Sequence, residues 1–394
     1  MKLLHTICLC VVTTLAYSAD WPQFRGPKYN GVSTEADLDF VNMKEKWRAD
    51  VHTGFSAVTV VDGRVYTMGN KKGTDHIVCL DEETGEAVWT HTYACKLAPR
   101  MYEGGPNATP TIKRGKVYTL SREGHMICLD AATGDVLWER HAREFNAEPP
   151  SWGFSGSTTV VGEIAVYNVG SGGVALDADS GKTLWGTGSS DAGYSTPVPV
   201  NLDGKPQIAI FTGKRVVGLD PRSGKELWEF VWKTSYDVNA ADPIFMGNRF
   251  FVSSGYGTGA AVAQVRNGNV KRLWRNKVMR SHFNNCVFWQ GYLYGLSGES
   301  GTRAKLVCVD PATGDVKWQH RGIGFGSILI ADDKLIILNE SGNLFIADPN
   351  PAEYKELHQG RPVSGKFWTT PTVANGCLYI RNAKGKLTCF DLNP

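Results

Sequence analysis

The chain has 394 residues, of which 42% are hydrophobic and 44 are glycine, with a formal net charge of +3. That length ordinarily suggests two domains, unless a repeat array fills it as one body. The charge is too small and too evenly spread to make nucleic acid or an anionic membrane the partner.

The first element is a leader. Lys2 and His5 precede an apolar run from Ile7 to Leu15, and Ala16-Tyr17-Ser18 followed by Ala19 offers small residues at the two positions a signal peptidase reads. This predicts residues 1–18 as a signal peptide cleaved near Ser18, and hence a periplasmic or secreted protein. Neither Cys8 nor Cys10 follows the small residue of a lipoprotein signal, and no later run approaches the ~18 apolar residues a membrane span needs. The mature form is expected to be soluble and monomeric.

Residues 19–54 read as an arm and a closing strand. Trp21-Pro-Gln-Phe-Arg-Gly26 and Asn30-Gly-Val-Ser33 precede any repeat and suggest an extended arm over one face of the body. Trp47, within Lys44-Glu-Lys-Trp-Arg48, resembles a repeat strand detached from its unit.

The repeat is clearest in Cys128-Leu-Asp-Ala-Ala-Thr-Gly-Asp-Val-Leu-Trp138. Asp130 can accept from amides two residues on, Thr133 can do the same, and Gly134 supplies positive φ for a hairpin loop. The Asp-to-Trp interval returns as Asp81 to Trp89, Asp177 to Trp185, Asp220 to Trp228 and Asp310 to Trp318. Trp274 keeps its place behind Arg266, Leu357 replaces another Trp, and the last unit ends at Asp391, so Trp47 supplies its missing strand. A second set of turns, from Asp62-Gly63 to Asn375-Gly376, gives the same count of eight. Such a period is expected of propeller blades with four strands each.

The predicted fold is therefore all-β: an eight-bladed β-propeller of four-stranded antiparallel blades, closed by an N-terminal strand that completes the last blade. Residues 19–394 form one domain, with blades near 55–93, 107–141, 154–188, 194–231, 240–276, 283–321, 325–358 and 368–391. Trp47, Trp89, Trp138, Trp185, Trp228, Trp274 and Trp318 are assigned to packing. Cys79, Cys128, Cys308 and Cys389 occupy equivalent places and read as small buried residues, because packed sheets about 10 Å apart hold them beyond disulfide reach.

The Leu-Asp-x-x-Thr-Gly-x-x-x-Trp unit resembles the tryptophan-docking repeat of the pyrroloquinoline-quinone-like (PQQ-like) β-propeller superfamily, over nearly the whole mature chain. The opening, Trp21-Pro-Gln-Phe-Arg-Gly26, resembles exported propellers common in planctomycete-type bacteria. The superfamily includes quinoprotein dehydrogenases and non-catalytic BamB-like propellers that help assemble outer-membrane proteins. In the dehydrogenases a disulfide between adjacent cysteines stacks on the quinone, and an Asp is the base. This chain has no Cys-Cys pair and no Cys-x-x-Cys-His haem site. The resemblance thus implies a binding or scaffold propeller with a protein or envelope ligand, held at the channel mouth or by strand addition at a blade edge. The alternatives are a PQQ- and calcium-dependent oxidoreductase acting on an alcohol or sugar, and a carbohydrate-binding propeller. No catalytic residue and no metal ligand stands out.

One further pattern concerns the loops leading into the innermost strands. Equivalent positions read Phe55, Asn107, Phe154, Tyr194, Ala240, Phe283, Phe325 and Trp368, aromatic in six blades and followed by small or polar residues. These rings either wedge between blades or form a stacking collar at the channel mouth. Phe154, Tyr194, Phe283, Phe325 and Trp368 are the expected ring residues, with His282, Asn284 and Arg100 as polar contacts. Tyr102, Trp152, Tyr236 and Asn239 lie in the same class of loop.

Overall fold

A computed structural model describes residues 19–188, 191–301 and 303–393; the expected signal peptide, 1–18, lies outside them. The described chain forms eight separate four-stranded antiparallel sheets. In seven of them the strands follow sequence order, beginning with Thr59–Val61, Arg64–Lys71, Thr74–Asp81 and Ala87–Ala94 in blade 1. Blade 8 takes Thr372–Ala374, Cys377–Arg381 and Lys386–Asp391 from the C-terminus and Lys44–Asp50 from the N-terminus. Trp47 stands opposite Cys389, so the closing strand is where the repeat pattern puts it. The only described helices are two 3-10 turns, Ala142–Phe145 and Ser235–Asp237.

Sequence explains the hairpins directly. The inner loop of blade 1 is Asp62-Gly63, with φ of 51° and 70°, and that of blade 8 is Asn375-Gly376, with φ of 51° and 71°. Two successive left-handed residues match the right-handed twist of the flanking strands, which is why Asn, Asp and Gly fill these turns. In the outer loops the repeated Asp caps the turn. Asp130 Oδ1 accepts from the amides of Ala132 at 2.9 Å and Thr133 at 3.0 Å, and Asp220 Oδ1 from Arg222 at 3.1 Å and Ser223 at 2.8 Å. Such bonds hold Asp81, Asp177 and Asp220 below the ordinary carboxylate range.

The repeated indoles span from blade to blade. Each donates its Nε1–H to a carbonyl in the outer turn of the next blade: Trp47 to Glu82 at 2.8 Å, Trp89 to Ala131 at 3.0 Å, Trp138 to Ala178 at 3.0 Å and Trp185 to Pro221 at 2.9 Å. Trp274 and Trp318 reach Pro311 and Asn350 in the same way, at 2.9 and 2.8 Å. Trp228 differs: its Nε1–H turns back to Gln207 Oε1 of its own blade, at 2.7 Å. The cause lies in blade 5, where Arg266-Asn267-Gly268 lacks the Asp-capped loop that would present a carbonyl. Beneath five of the six bridging indoles the next blade's turn glycine passes without a side chain; the turn that Trp318 reaches, Asp348-Pro-Asn-Pro-Ala352, has no glycine, and Tyr354 packs against that ring with centroids 5.9 Å apart. A Cβ on Gly134 would lie 2.7 Å from Trp89, and one on Gly85 2.5 Å from Trp47. The buried cysteines belong to the same assembly, for Cys79, Cys128 and Cys308 stand directly across the sheet from Trp89, Trp138 and Trp318. All seven described cysteines are buried and unbridged.

A polar belt joins the beginnings of the innermost strands. Backbone N–H groups of one blade donate to side chains of the next: Ala57 to Thr109 Oγ1, Thr109 to Ser157 Oγ, Ser157 to Thr196 Oγ1, Thr196 to Asp242 Oδ1 and Asp242 to Asn285 Oδ1, over 2.6–3.1 Å. These are the small and polar residues that follow the aromatic positions. They satisfy backbone amides that the narrow channel would otherwise leave without partners.

The N-terminal arm enters the channel instead of lying over a face. Trp21 pairs with Val60 of blade 1, Pro22 accepts from Ile112 of blade 2, and Gly31 and Ser33 exchange hydrogen bonds with Ile330 of blade 7. Arg25, fully buried, donates from Nη2 to the carbonyl of Cys286 in blade 6 at 2.8 Å. The arm thus ties together blades on opposite sides of the ring.

Candidate functional site

Where the loops enter the innermost strands, the channel opens into a cavity of about 300 Å³. Phe24 of the arm lines it from below, and Asp242, Asn285 and Thr196 of the polar belt line its lower wall. Above them the rings of Trp152, Tyr102, Phe55, Trp368, Phe283 and His282 follow one another around the rim. Their centroids are 5.8 Å apart between Trp152 and Tyr102, 5.6 Å between Tyr102 and Phe55, and 5.5 Å between Phe55 and Trp368. The chain continues over 4.8 Å to Phe283, 4.8 Å to His282 and 4.7 Å to Tyr256. Spacings of this kind are those of mutually attractive aromatic pairs, so the collar holds its own shape.

Of the ring residues expected from sequence, Tyr194, Phe283 and Trp368 line this cavity, as do Phe55, Asn107 and Ala240 at the equivalent positions. Phe154 does not. It is fully buried in the core between blades 2 and 3, because its loop carries one residue more before the belt residue Ser157. Trp152 takes the place at the mouth. Phe325 is also buried, edge-on beneath Phe283 at 4.8 Å, since the innermost strand of blade 7, Gly326–Ala331, begins immediately after it. Asn284 is turned away, its Nδ2 donating to the carbonyl of Leu296 at 2.8 Å and its Oδ1 accepting from the amide of His282. Arg100 stands outside the cavity, its guanidinium 5.7 Å from the Trp152 ring. His282 does face it, with a buried Nδ1 that has no hydrogen-bond partner. Sequence reasoning passed over Phe24, Tyr256 and Asp242. Only Asp242 carried a readable signal, as the one carboxylate at a belt position.

The electrostatics of the floor centre on Asp242 and Arg25. Burial pushes the Asp242 carboxyl up to about 6, against the pull of the Arg25 guanidinium and of the Thr196 amide. Arg25 is itself lowered by burial, and its Nε and Nη1 have no hydrogen-bond partner. Burial also lowers His282, which keeps its imidazole neutral near pH 7, and raises Tyr194 to about 12. Trp368 is fixed from outside by Glu340, which accepts from its Nε1 at 3.1 Å, and by Lys366, whose ammonium lies 3.5 Å from its ring centroid.

Residues 73–320, well over half of the chain, match the family described as outer membrane protein assembly factor BamB. The chain belongs to the BamB family of PQQ-like β-propellers. No curated protein is similar enough in sequence to count as a relative. Among solved structures, BamB from Moraxella catarrhalis is similar over 89% of this chain and 99% of its own, with a TM-score of 0.66 at 16% identity. The quinohemoprotein alcohol dehydrogenase of Comamonas testosteroni matches over 94% of this chain and 80% of its own, with a TM-score of 0.69 at 14% identity. At such identities these likenesses concern the fold.

The quinone cofactor of the dehydrogenases can be tested against the residues of this BamB-family mouth. Pyrroloquinoline quinone is a polycarboxylate and calls for cationic partners, but the one charged side chain lining the cavity among the described residues is Asp242, of the same sign. Its calcium would need several oxygen ligands, and nowhere among the described residues do three His, Cys, Asp or Glu side chains gather. The donor set does not fit that group. No described helix is long and apolar enough to cross a membrane.

Proposed function

We propose that this chain is an exported, non-catalytic binding propeller whose working surface is the aromatic mouth, and that the mouth holds a segment of an envelope protein. The observation that carries this reading is the cavity itself: about 300 Å³, floored by the arm and collared by rings already packed against one another. Ligand sites are concave, mostly apolar and largely pre-formed, with a few polar groups that fix orientation, and the mouth has each of these properties. Membership of a family described as an outer-membrane assembly factor supports a protein as the occupant. Loops on a rigid scaffold are where recognition residues concentrate.

The test uses Met101, which stands on the rim with 90% of its surface exposed. A photo-crosslinking residue placed there, mixed with an envelope fraction, is expected to capture a defined partner. The double variant Phe283→Ala, Trp368→Ala is expected to lose that partner with little change in melting temperature. Equal capture by the variant would move the working surface elsewhere, to a blade edge for instance. Reduction of a dye with alcohols or aldoses, after loading with pyrroloquinoline quinone and calcium, would replace this reading by the oxidoreductase one.

A further inference from the structure

Rings alone would suit any apolar side chain or sugar face. What distinguishes this cavity is the combination of rings with the sign and placement of its single charge. Eight of its lining residues are Phe, Tyr or Trp, and no Lys or Arg is among them. Met101, Val238 and Ala240 apart, the remaining walls are hydroxyls, amides, a neutral imidazole and one carboxylate. At the floor stands Asp242, with 6% of its surface exposed. Its Oδ1 is occupied by the Thr196 amide at 2.8 Å, while Oδ2 has no hydrogen bond. A carboxylate is an expensive group to bury, and the guanidinium that pulls on this one, Arg25, lies outside the cavity lining.

We infer that the mouth is a receptor for an organic cation, an alkylated or primary ammonium group seated between the collar rings and the free oxygen of Asp242. This rests on reading the mouth as a binding site and names the chemistry of its occupant. The negative faces of aromatic rings attract a cation within about 6 Å of their centroids, most strongly for Trp and when water is excluded. A trimethylammonium group cannot form hydrogen bonds, so it loses little on leaving water for such walls, and the carboxylate below supplies the countercharge. The collar already receives one cation: Lys366 lies 3.5 Å from the Trp368 ring centroid, held there by Glu103 at 3.0 Å. Arg25 is the cation of the arm that acts on Asp242. It lies outside the cavity lining, donates to the Cys286 and Asn30 carbonyls, and pulls on Asp242 through its charge without a hydrogen bond to it. The Oδ2 side of the carboxylate is left to the cavity.

The cation could be a free small molecule or the ammonium of a lysine on the partner segment, and both present the same chemistry. The experiment titrates the whole protein with choline and with 3,3-dimethylbutanol, its uncharged isostere, following tryptophan fluorescence and heat. Choline is expected to bind at least roughly tenfold tighter, and Asp242→Asn, which keeps the oxygen that Thr196 needs, is expected to lose most of that preference with a melting temperature no lower than the parent's. Equal binding of the two probes, or none of choline, would overturn the inference, without appeal to any variant. Acetyl-lysine amide and its trimethylated form, set against acetyl-norleucine amide, then separate a peptide source from a free one. If the Met101 crosslink still captures its partner while no cation binds or competes, the cation alone is lost. If the partner is not captured either, the mouth reading falls with it.

Discussion

At the scale of single residues, the site is defined by a carboxylate held where burial disfavours its charge. Asp242 is raised from 3.8 to about 6 in the folded chain. The folded state therefore binds its proton more tightly than the unfolded state does. That contribution to stability is complete below the unfolded value, near pH 4, and is lost as pH rises through 6. Asp242→Asn carries no such titration, so the variant should gain on the parent between pH 4 and pH 7. The gain is expected to reach ~3 kcal/mol, about two pKa units at ~1.4 kcal/mol each. Urea unfolding of both proteins at pH 4, 5.5 and 7 measures it, and a constant difference would mean that the carboxyl is solvated as an ordinary one. How far residues were legible follows from their register. Tyr194, Phe283 and Trp368 sit at a repeated position and could be found there. Phe154 shares that position but is displaced by one added loop residue, and Phe325 by a longer strand. The first shift shows only as one extra position between Phe154 and Ser157, which has meaning once the belt is known, and the second leaves no trace in hydrophobicity.

At the scale of the repeated element, the outer turn does two jobs with one glycine. Its left-handed conformation was readable from the Thr-Gly and Ser-Gly pairs, because positive φ is what glycine offers most cheaply. Its second duty, to pass under the indole of the preceding blade, depends on a contact about 40 residues away in sequence and was not readable. The two duties can be separated. Gly63 has φ of 70° with nothing within 4 Å of an added Cβ, whereas Gly134 has φ of 79° with Trp89 at 2.7 Å. Gly63→Ala should cost about 1 kcal/mol for the left-handed backbone alone. Gly134→Ala should cost that and a further ~1–3 kcal/mol of overpacking. Equal losses in denaturant unfolding would show that the indole moves aside freely. Blade 5 supplies the natural counterpart: with Arg266 in place of the Asp, its turn offers Trp228 no carbonyl, and the ring folds back over Gly218 to Gln207.

At the scale of the molecule, periodicity decides what a sequence reveals. Eight blades and the closure through Trp47 follow from a pattern repeated along the chain, so both could be counted. The path of residues 19–35 has no period, and its place in the channel rests on single contacts to separate blades. That path matters mechanically. In a ring of repeats each unit touches its two neighbours, and stability spreads as a sum of local terms. The arm adds bonds between units that are not neighbours: Pro22 with Ile112 in blade 2, Arg25 with Cys286 in blade 6, Gly31 and Ser33 with Ile330 in blade 7, and Glu35 with Gly376 in blade 8. With these cross-ties the whole ring should unfold as one body, with tryptophan fluorescence and far-ultraviolet circular dichroism falling together in urea. Deletion of residues 19–35 leaves the closing strand Lys44–Asp50 and all eight sheets in place, and removes the cross-ties and the Phe24 floor. The shortened protein is expected to keep its strand signal but to unfold over a broader range of urea, with a lower slope and with the two signals no longer coincident. If both proteins show one sharp, coincident transition, neighbour contacts and strand closure suffice for cooperativity, and the arm serves only to floor the mouth.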